Sequence, residues 1–167
     1  MNPLFLALKV QLDDYDHLQA DFSGIIKGRW IPSEDIHITV SYFGRKYDID
    51  ELLERLPQFI VPIESFKLSG LGYFASNRIL YAKGESLELG NIFSSINDAF
   101  SLGETKPFIP HATLMRVKAV EDTTVFKKIL SDYQNREIGT VEATFELIQS
   151  IRHPRGVRYE RIKKFYM

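Results

Sequence analysis

Two short segments, His37-Ile38-Thr39-Val40 and His111-Ala112-Thr113-Leu114, each place a threonine two residues after a histidine. Residues two apart on a β-strand lie on the same face. Both segments are rich in apolar, β-favouring residues, so each predicts a strand that buries the residue between its histidine and its threonine. In such a pair, one imidazole could accept a proton and the other could donate one. The two hydroxyls could hold an anion between them.

Both motifs follow a segment that breaks regular structure. Residues 32–35 (PSED) precede the first motif, and residues 106–110 (KPFIP) precede the second. One His-x-Thr pattern alone is typical of a solvated strand face. Two copies that both begin after a breaker predict strands that start at the end of a sheet, where functional side chains collect. We therefore predict that His37 and His111 act as one catalytic pair.

The motifs and their flanks resemble the two-histidine (2H) phosphoesterase superfamily, and in particular the LigT-like RNA 2′,3′-cyclic phosphodiesterases, which include proteins described as 2′-5′ RNA ligases. The resemblance covers nearly the whole chain. It rests on residues 3–8, on Trp30 with residues 37–44, on residues 70–74 with 78–81, and on residues 108–117. Two residues depart from the family pattern, since Tyr42 stands where a phenylalanine is usual and Ser41 where a basic residue is often found.

The resemblance implies an RNA 2′,3′-cyclic phosphodiesterase that hydrolyses RNA 2′,3′-cyclic phosphate ends to 2′-phosphates, without metal or cofactor. A reversible 2′-5′ ligase activity is left open. It implies that His111 activates water, that His37 protonates the departing 3′-oxygen and that the ring of Tyr42 stacks on the substrate base. Histidine chemistry suits both proton transfers, because the unperturbed pKa of about 6.5 lies near physiological pH.

Hydroxyls of Thr39 and Thr113 could bind the phosphoryl oxygens, and Arg116 could bind phosphate through two hydrogen bonds. The spacing of two candidate substrate-binding residues raises a difficulty. Arg116 and Tyr42 each follow a motif histidine by five positions, so an ideal strand would send them to the opposite face. A bulge, a strong local twist or a role outside the site would each resolve this. The alternatives are a surface arginine and a core aromatic residue.

The composition indicates one globular domain over residues 1–167. The chain is 44% hydrophobic, which is enough for a sizeable core. It has no cysteine, so it can form neither a disulfide nor a thiolate metal site. No segment approaches the roughly 20 apolar residues of a membrane span and the N-terminus lacks a signal-peptide pattern, so we expect a soluble cytoplasmic protein. We also expect a monomer. Two histidines without nearby carboxylates do not predict a metal site.

The order of strand hairpins and helices predicts an α+β fold. The repeat of the motif predicts two pseudo-symmetric lobes that face one cleft. The resemblance implies the same arrangement, two antiparallel sheets with outer helices around a central cleft. Helices are predicted over residues 13–27, 48–59, 87–102 and 123–133, and strands over 4–10, 63–73, 78–83 and 108–118, with a terminal hairpin of 140–151 and 157–166.

The charge is uneven along the chain. Residues 1–104 carry 9 Lys/Arg and 15 Asp/Glu, whereas residues 105–167 carry 12 and 7. This basic C-terminal part is either a solvated face or a phosphate-contact surface.

Two other functions fit the same motifs. One keeps the chemistry but takes a small cyclic phosphate, such as a nucleotide or an ADP-ribose derivative. The other is a non-catalytic RNA- or nucleotide-binding module. Retention of both proton-transfer groups argues against the second. His17 and His153 are expected on the surface, and Trp30 in the core or in the cleft wall.

Overall fold

Eight β-strands and four α-helices make up the part of the chain that the computed structural model describes, residues 1–165. The strands are β1 (Leu4–Leu12), β2 (Ile26–Trp30), β3 (His37–Gly44), β4 (Phe66–Phe74), β5 (Ile79–Gly84), β6 (His111–Val120), β7 (Glu137–His153) and β8 (Gly156–Phe165). The helices are α1 (Tyr15–Asp21), α2 (Ile49–Arg55), α3 (Leu87–Ala99) and α4 (Thr123–Asp132). The predicted α+β class is confirmed.

All strand pairs within the described residues are antiparallel, and six of the strands form a closed circuit. β1 pairs with β3, β3 with β6, β6 with β5, β5 with β4, β4 with β7, and β7 again with β1. β2 adds to β6, and β8 adds to β7. The two sheets expected from the resemblance are thus hydrogen-bonded to each other. They join at β3–β6 and at β4–β7.

The apolar residues of the strands and helices form one buried cluster. Leu4, Leu6 and Leu8 of β1 are fully buried, and α3 buries Leu89, Ile92 and Ile96 at helical spacing. Each helix begins after a side chain that accepts a hydrogen bond from a backbone N–H three residues on. These capping residues are Asp14, Asp48, Ser86 and Asp122. No helix within residues 1–165 is both long enough and apolar enough to cross a bilayer.

The helix predicted over residues 13–27 is wrong in its second half. The helix ends at Asp21, and Gly24 follows with a φ of +77°. The chain then forms β2, because Gly28 lets it approach β6 closely. A Cβ at Gly28 would lie 2.2 Å from the carbonyl oxygen of Arg116. This unpredicted strand carries Arg29.

The other predicted elements are present with ends shifted by a few residues. The second helix stops at Arg55, and Pro57 lies in the 3₁₀ turn that follows. Both strands of the terminal hairpin are present, and β7 is longer than predicted at both ends. The predicted end of the last strand, Tyr166, lies outside the described residues.

Candidate active site

The two His-x-Thr motifs meet where β3 pairs with β6. Ile38 pairs with Ala112, and both side chains are fully buried. The antiparallel register therefore places His37 across from Thr113 and Thr39 across from His111. All four of these side chains line one cavity of about 330 Å³, the motif cavity. The structure brings the four predicted residues together on one face.

A bulge in β6 places Arg116 on that same face. Along β5, Leu80 pairs with Met115 and Tyr81 pairs with Thr113, so Leu114 is an extra residue. Leu114 and Met115 are consecutive buried residues, after which the alternation resumes with the opposite phase. Arg116 is therefore exposed and lines the motif cavity. Of the three explanations for its five-residue spacing, the bulge is the one observed.

The first motif has the same irregularity. Leu6 of β1 pairs with Ser41 and Ala7 pairs with Thr39, so Val40 is the extra residue of β3. Val40 and Ser41 are both buried, and Tyr42 returns to the cavity side. Its ring is 59% exposed, so it is not a core residue and it lies at the mouth of the motif cavity. The Ser41 hydroxyl is buried without a hydrogen-bond partner within residues 1–165.

His37 is held by one hydrogen bond and two aromatic rings. Its Nδ1 lies 2.7 Å from the carbonyl oxygen of Asp35, which can only accept, so Nδ1 carries the hydrogen. Phe5 stacks on the imidazole at 5.1 Å between ring centroids, and Tyr159 meets it edge-on at 5.3 Å. The neutral ring therefore keeps Nε2 as its free proton acceptor.

His111 is held in an equivalent way. Its Nδ1 lies 2.8 Å from the carbonyl oxygen of Ile109, again two residues before the histidine. Phe74 and Tyr81, which stack on each other, both meet the imidazole edge-on at 5.2 and 5.6 Å. The two motifs therefore share one orientation device, in which a backbone carbonyl fixes Nδ1 and leaves Nε2 free for proton transfer.

Burial makes the charged form of His37 less favourable. It lowers the pKa of His37, and a positive charge on His111 lowers it further. The hydrogen bond to the Asp35 carbonyl and the charge of the Asp35 carboxylate partly offset these effects. The pKa of the Asp35 carboxyl is itself raised, first by burial and then by the neighbouring charge of Glu34.

The guanidinium of Arg116 also lines the motif cavity. Arg116 has no carboxylate within 4.0 Å in residues 1–165. Burial raises the pKa of the Tyr159 hydroxyl, and the charges of Arg116 and Arg29 act against that rise, whereas Asp35 adds to it. The cavity therefore offers a guanidinium to an anion, beside two imidazoles and two hydroxyls.

Sequence reasoning missed several residues of the site. Tyr159 comes from β8, more than 40 positions from either motif. Phe5, Phe74 and Tyr81 lie in segments that carry the family resemblance, which was the available signal for them. His17 and His153 are exposed, as expected. No group of three His, Cys, Asp or Glu side chains placed to hold a metal occurs within residues 1–165.

Comparison with known proteins identifies relatives that match most of the chain. Residues 12–166 match the family model described as AKAP7 2′5′ RNA ligase-like domain. The RNA 2′,3′-cyclic phosphodiesterase of Methanocaldococcus jannaschii is 30% identical, over 97% of this chain and 99% of that protein. The Aeropyrum pernix protein of the same name is 28% identical, over 79% of this chain and 82% of that protein.

A solved structure shows the same fold. The apo form of E. coli LigT has a TM-score of 0.70 at 18% sequence identity, over 98% of this chain and 96% of that one. The fold, the family match and the archaeal relatives agree with the resemblance seen in the two motifs. The chain belongs to the AKAP7 2′5′ RNA ligase-like domain family, within the two-histidine phosphoesterases.

Proposed function

We propose that this protein is a phosphodiesterase that opens 2′,3′-cyclic phosphates at RNA ends and leaves a 2′-phosphate. The observation that carries the proposal is the motif cavity, in which two oriented imidazoles, two threonines and the guanidinium of Arg116 face one space. The names of the archaeal relatives support this substrate class. So do the structures of E. coli LigT with 3′-AMP and with phosphate.

The residues of the cavity account for each step of such a hydrolysis. One imidazole takes a proton from water as the water oxygen forms a bond to phosphorus. The bond from phosphorus to the 3′-oxygen breaks, and the other imidazolium gives its proton to that oxygen. Thr39 and Thr113 donate hydrogen bonds to the non-bridging oxygens, and the guanidinium of Arg116 binds them through two N–H groups. Because these groups supply both proton transfers and the charge stabilisation, the proposed reaction needs no metal.

The direction of proton transfer follows from the resemblance, with His111 as the base and His37 as the acid. Burial has two opposite effects on an acid at His37. It makes the imidazolium less abundant near neutral pH, but it also makes each imidazolium a stronger proton donor to an alkoxide. An anionic phosphodiester in the cavity restores part of the charged population. The lowered pKa of His37 is therefore compatible with this direction.

The size of the cavity favours one second candidate. A volume of about 330 Å³ matches a single small ligand, so a small cyclic phosphate could be the substrate of the same chemistry. With an RNA end as substrate, the base that activates water could instead activate the 5′-hydroxyl of a second RNA, so that its oxygen bonds to phosphorus while the bond from phosphorus to the 3′-oxygen breaks and the acid protonates the 3′-oxygen. Such a step would join RNA ends through a 2′-5′ linkage.

The test compares an oligoribonucleotide with a 2′,3′-cyclic phosphate end and a 2′,3′-cyclic mononucleotide, both in the presence of EDTA. We expect a 2′-phosphate product from the oligonucleotide, identified by the mass gain of one water and by co-elution with an authentic 2′-phosphate rather than a 3′-phosphate standard. Turnover of the mononucleotide alone would support the second candidate. Binding of either compound without turnover would refute the phosphodiesterase, and activity that EDTA removes and a divalent ion restores would refute the metal-free mechanism.

A further inference from the structure

Two arginines lie side by side next to the motif cavity. Arg29 of β2 is the direct cross-strand partner of Arg116 of β6, so both side chains lie on the same face of the sheet. Neither has a carboxylate within 4.0 Å among residues 1–165. Like charges directly opposite each other destabilise a sheet unless an anion lies between or above them. Arg116 lines the motif cavity, whereas Arg29 lies one strand further out.

The β7–β8 hairpin provides the opposite wall. Tyr159 and Val157 of this hairpin line the motif cavity, and Arg152 is the cross-strand partner of Val157. Arg152 therefore lies on the cavity face of the hairpin. Arg29 reaches towards the turn, since its Nη1 lies 3.2 Å from the position that a Cβ on Gly156 would occupy. Arg29, Arg116 and Arg152 thus lie near the end of the cavity that faces the hairpin turn, and we call these three residues the arginine groove.

We propose that the arginine groove binds the phosphate on the 5′ side of the terminal nucleotide, which makes an RNA chain a better substrate than a cyclic mononucleotide. This inference rests on the proposed function. Arg116 holds the reacting cyclic phosphate, and Arg29 and Arg152 hold the next phosphate along the chain. Neighbouring strands are about 4.8 Å apart. Because arginine side chains are long and flexible, the two guanidinium groups can lie further apart than the strands that carry them. Two phosphates can therefore be held at once.

Three substrates test the proposed phosphate site: 2′,3′-cyclic AMP, the same compound with a 5′-phosphate, and the dinucleotide ApA with a 2′,3′-cyclic phosphate end. We expect both compounds with a second phosphate to have kcat/KM values roughly 10- to 100-fold above that of cyclic AMP, which is the size expected for charge-assisted hydrogen bonds. A preference for the dinucleotide but not for the 5′-phosphate would place the second contact on the additional nucleoside and would refute the phosphate site.

Arg29→Gln and Arg152→Gln should remove this preference. Each should lower kcat/KM on the dinucleotide roughly tenfold or more. On cyclic AMP the change should stay below about fivefold, as for an exposed charge that makes no direct contact. Each should also weaken the dependence of kcat/KM on salt for the dinucleotide, because one charge–charge contact that salt screens is lost. Arg158→Gln is the matched control, because Arg158 lies on the other face of the same hairpin and should change neither substrate.

Each further outcome has a distinct meaning. Equal loss on all three substrates would show that Arg29 and Arg152 act on the reacting phosphate or on folding, and would refute the groove. No loss on the dinucleotide would also refute it. If the wild-type protein hydrolyses none of the three compounds, the proposed function itself fails, and the inference fails with it.

Discussion

Replacement of Arg116 tests whether the bulge in β6 delivers a phosphate-binding group. Leu114 and Met115 are consecutive buried residues, and the side chain that follows them lines the motif cavity. Without the bulge, Arg116 would point to the other face and its replacement would not affect turnover. Because Arg116 is exposed and has no ion-pair partner within residues 1–165, its removal should change the free energy of unfolding by less than about 0.5 kcal/mol.

The expected loss follows from the number of hydrogen bonds. A guanidinium that binds two phosphoryl oxygens makes two charge-assisted hydrogen bonds, each worth about 1.5 to 3 kcal/mol. We take the lower figure because Arg116 is exposed to water, which gives about 3 kcal/mol for both. Since 1.4 kcal/mol corresponds to a factor of ten, Arg116→Ala should lower kcat/KM roughly 100-fold. Arg116→Lys keeps the charge but loses the planar pair of donors, so about a tenfold loss is expected.

The assay is kcat/KM on an oligoribonucleotide with a 2′,3′-cyclic phosphate end, with thermal unfolding of each variant measured in parallel. Arg158→Ala serves as the matched control on the outer face of the terminal hairpin. If a folded Arg116→Ala variant keeps activity within threefold of wild type, Arg116 does not bind the phosphate. If Arg116→Lys equals wild type, the guanidinium acts only as a charge, and the two-bond geometry is wrong.

Three other predictions address proton transfer and the fold. In a pair that needs one neutral and one protonated histidine, the lower of the two pKa values sets the acid limb of the bell-shaped pH profile of kcat/KM, whichever role that histidine has. Because burial lowers the pKa of His37 from its ordinary value of 6.5, this limb should lie below pH 6.5. Phe5→Ala admits water to that imidazole and should move the limb to higher pH, so an unmoved limb would show that burial by Phe5 is not the cause. On an aryl phosphodiester, whose leaving group needs little protonation, His37→Ala should recover much of its lost rate and His111→Ala should not. Recovery by His111→Ala instead would reverse the acid and base assignments. Gly28→Ala should lower the free energy of unfolding by roughly 1–3 kcal/mol, because its Cβ would lie 2.2 Å from a backbone oxygen of β6. Its control is Gly90→Ala, whose Cβ would meet nothing within 4 Å and which should raise that free energy by about 0.5–1 kcal/mol in thermal or denaturant unfolding.

The residues with regular period-two spacing could be found from the sequence alone. His37, Thr39, His111 and Thr113 share a face because nothing interrupts the strand between each histidine and its threonine. The alternation also identified Ile38 and Ala112 as buried. This part of the site depends only on local geometry, which the residue pattern expresses directly.

The positions of Arg116 and Tyr42 could not be derived from spacing. Each depends on one extra residue in a strand, and an extra residue is defined by the pairing of a neighbouring strand. The two consecutive buried residues in each motif, Val40-Ser41 and Leu114-Met115, are the visible trace of that bulge.

Strand β2 and Tyr159 were missed for a different reason. The apolar residues around Phe22 and Ile26 continue a helical spacing across Gly24. The helix itself ends at Asp21, and the left-handed conformation of Gly24 keeps the chain from resuming it. Tyr159 reaches His37 only because β8 pairs with β7, which in turn pairs with β1. Contacts through two intervening strands have no local signature in a single sequence.

The central claim is that His37 and His111 act together in one reaction, and a double-mutant cycle tests it most directly. The rates of His37→Ala, His111→Ala and the double variant are measured on an oligoribonucleotide with a 2′,3′-cyclic phosphate end, in EDTA. His17→Ala is the control, because His17 is exposed and does not line the motif cavity. Each single variant should lose roughly 10²- to 10⁴-fold in turnover, and the double variant should be little worse than either. Near-normal turnover in one single variant, or a double loss equal to the product of the two, would contradict the paired mechanism.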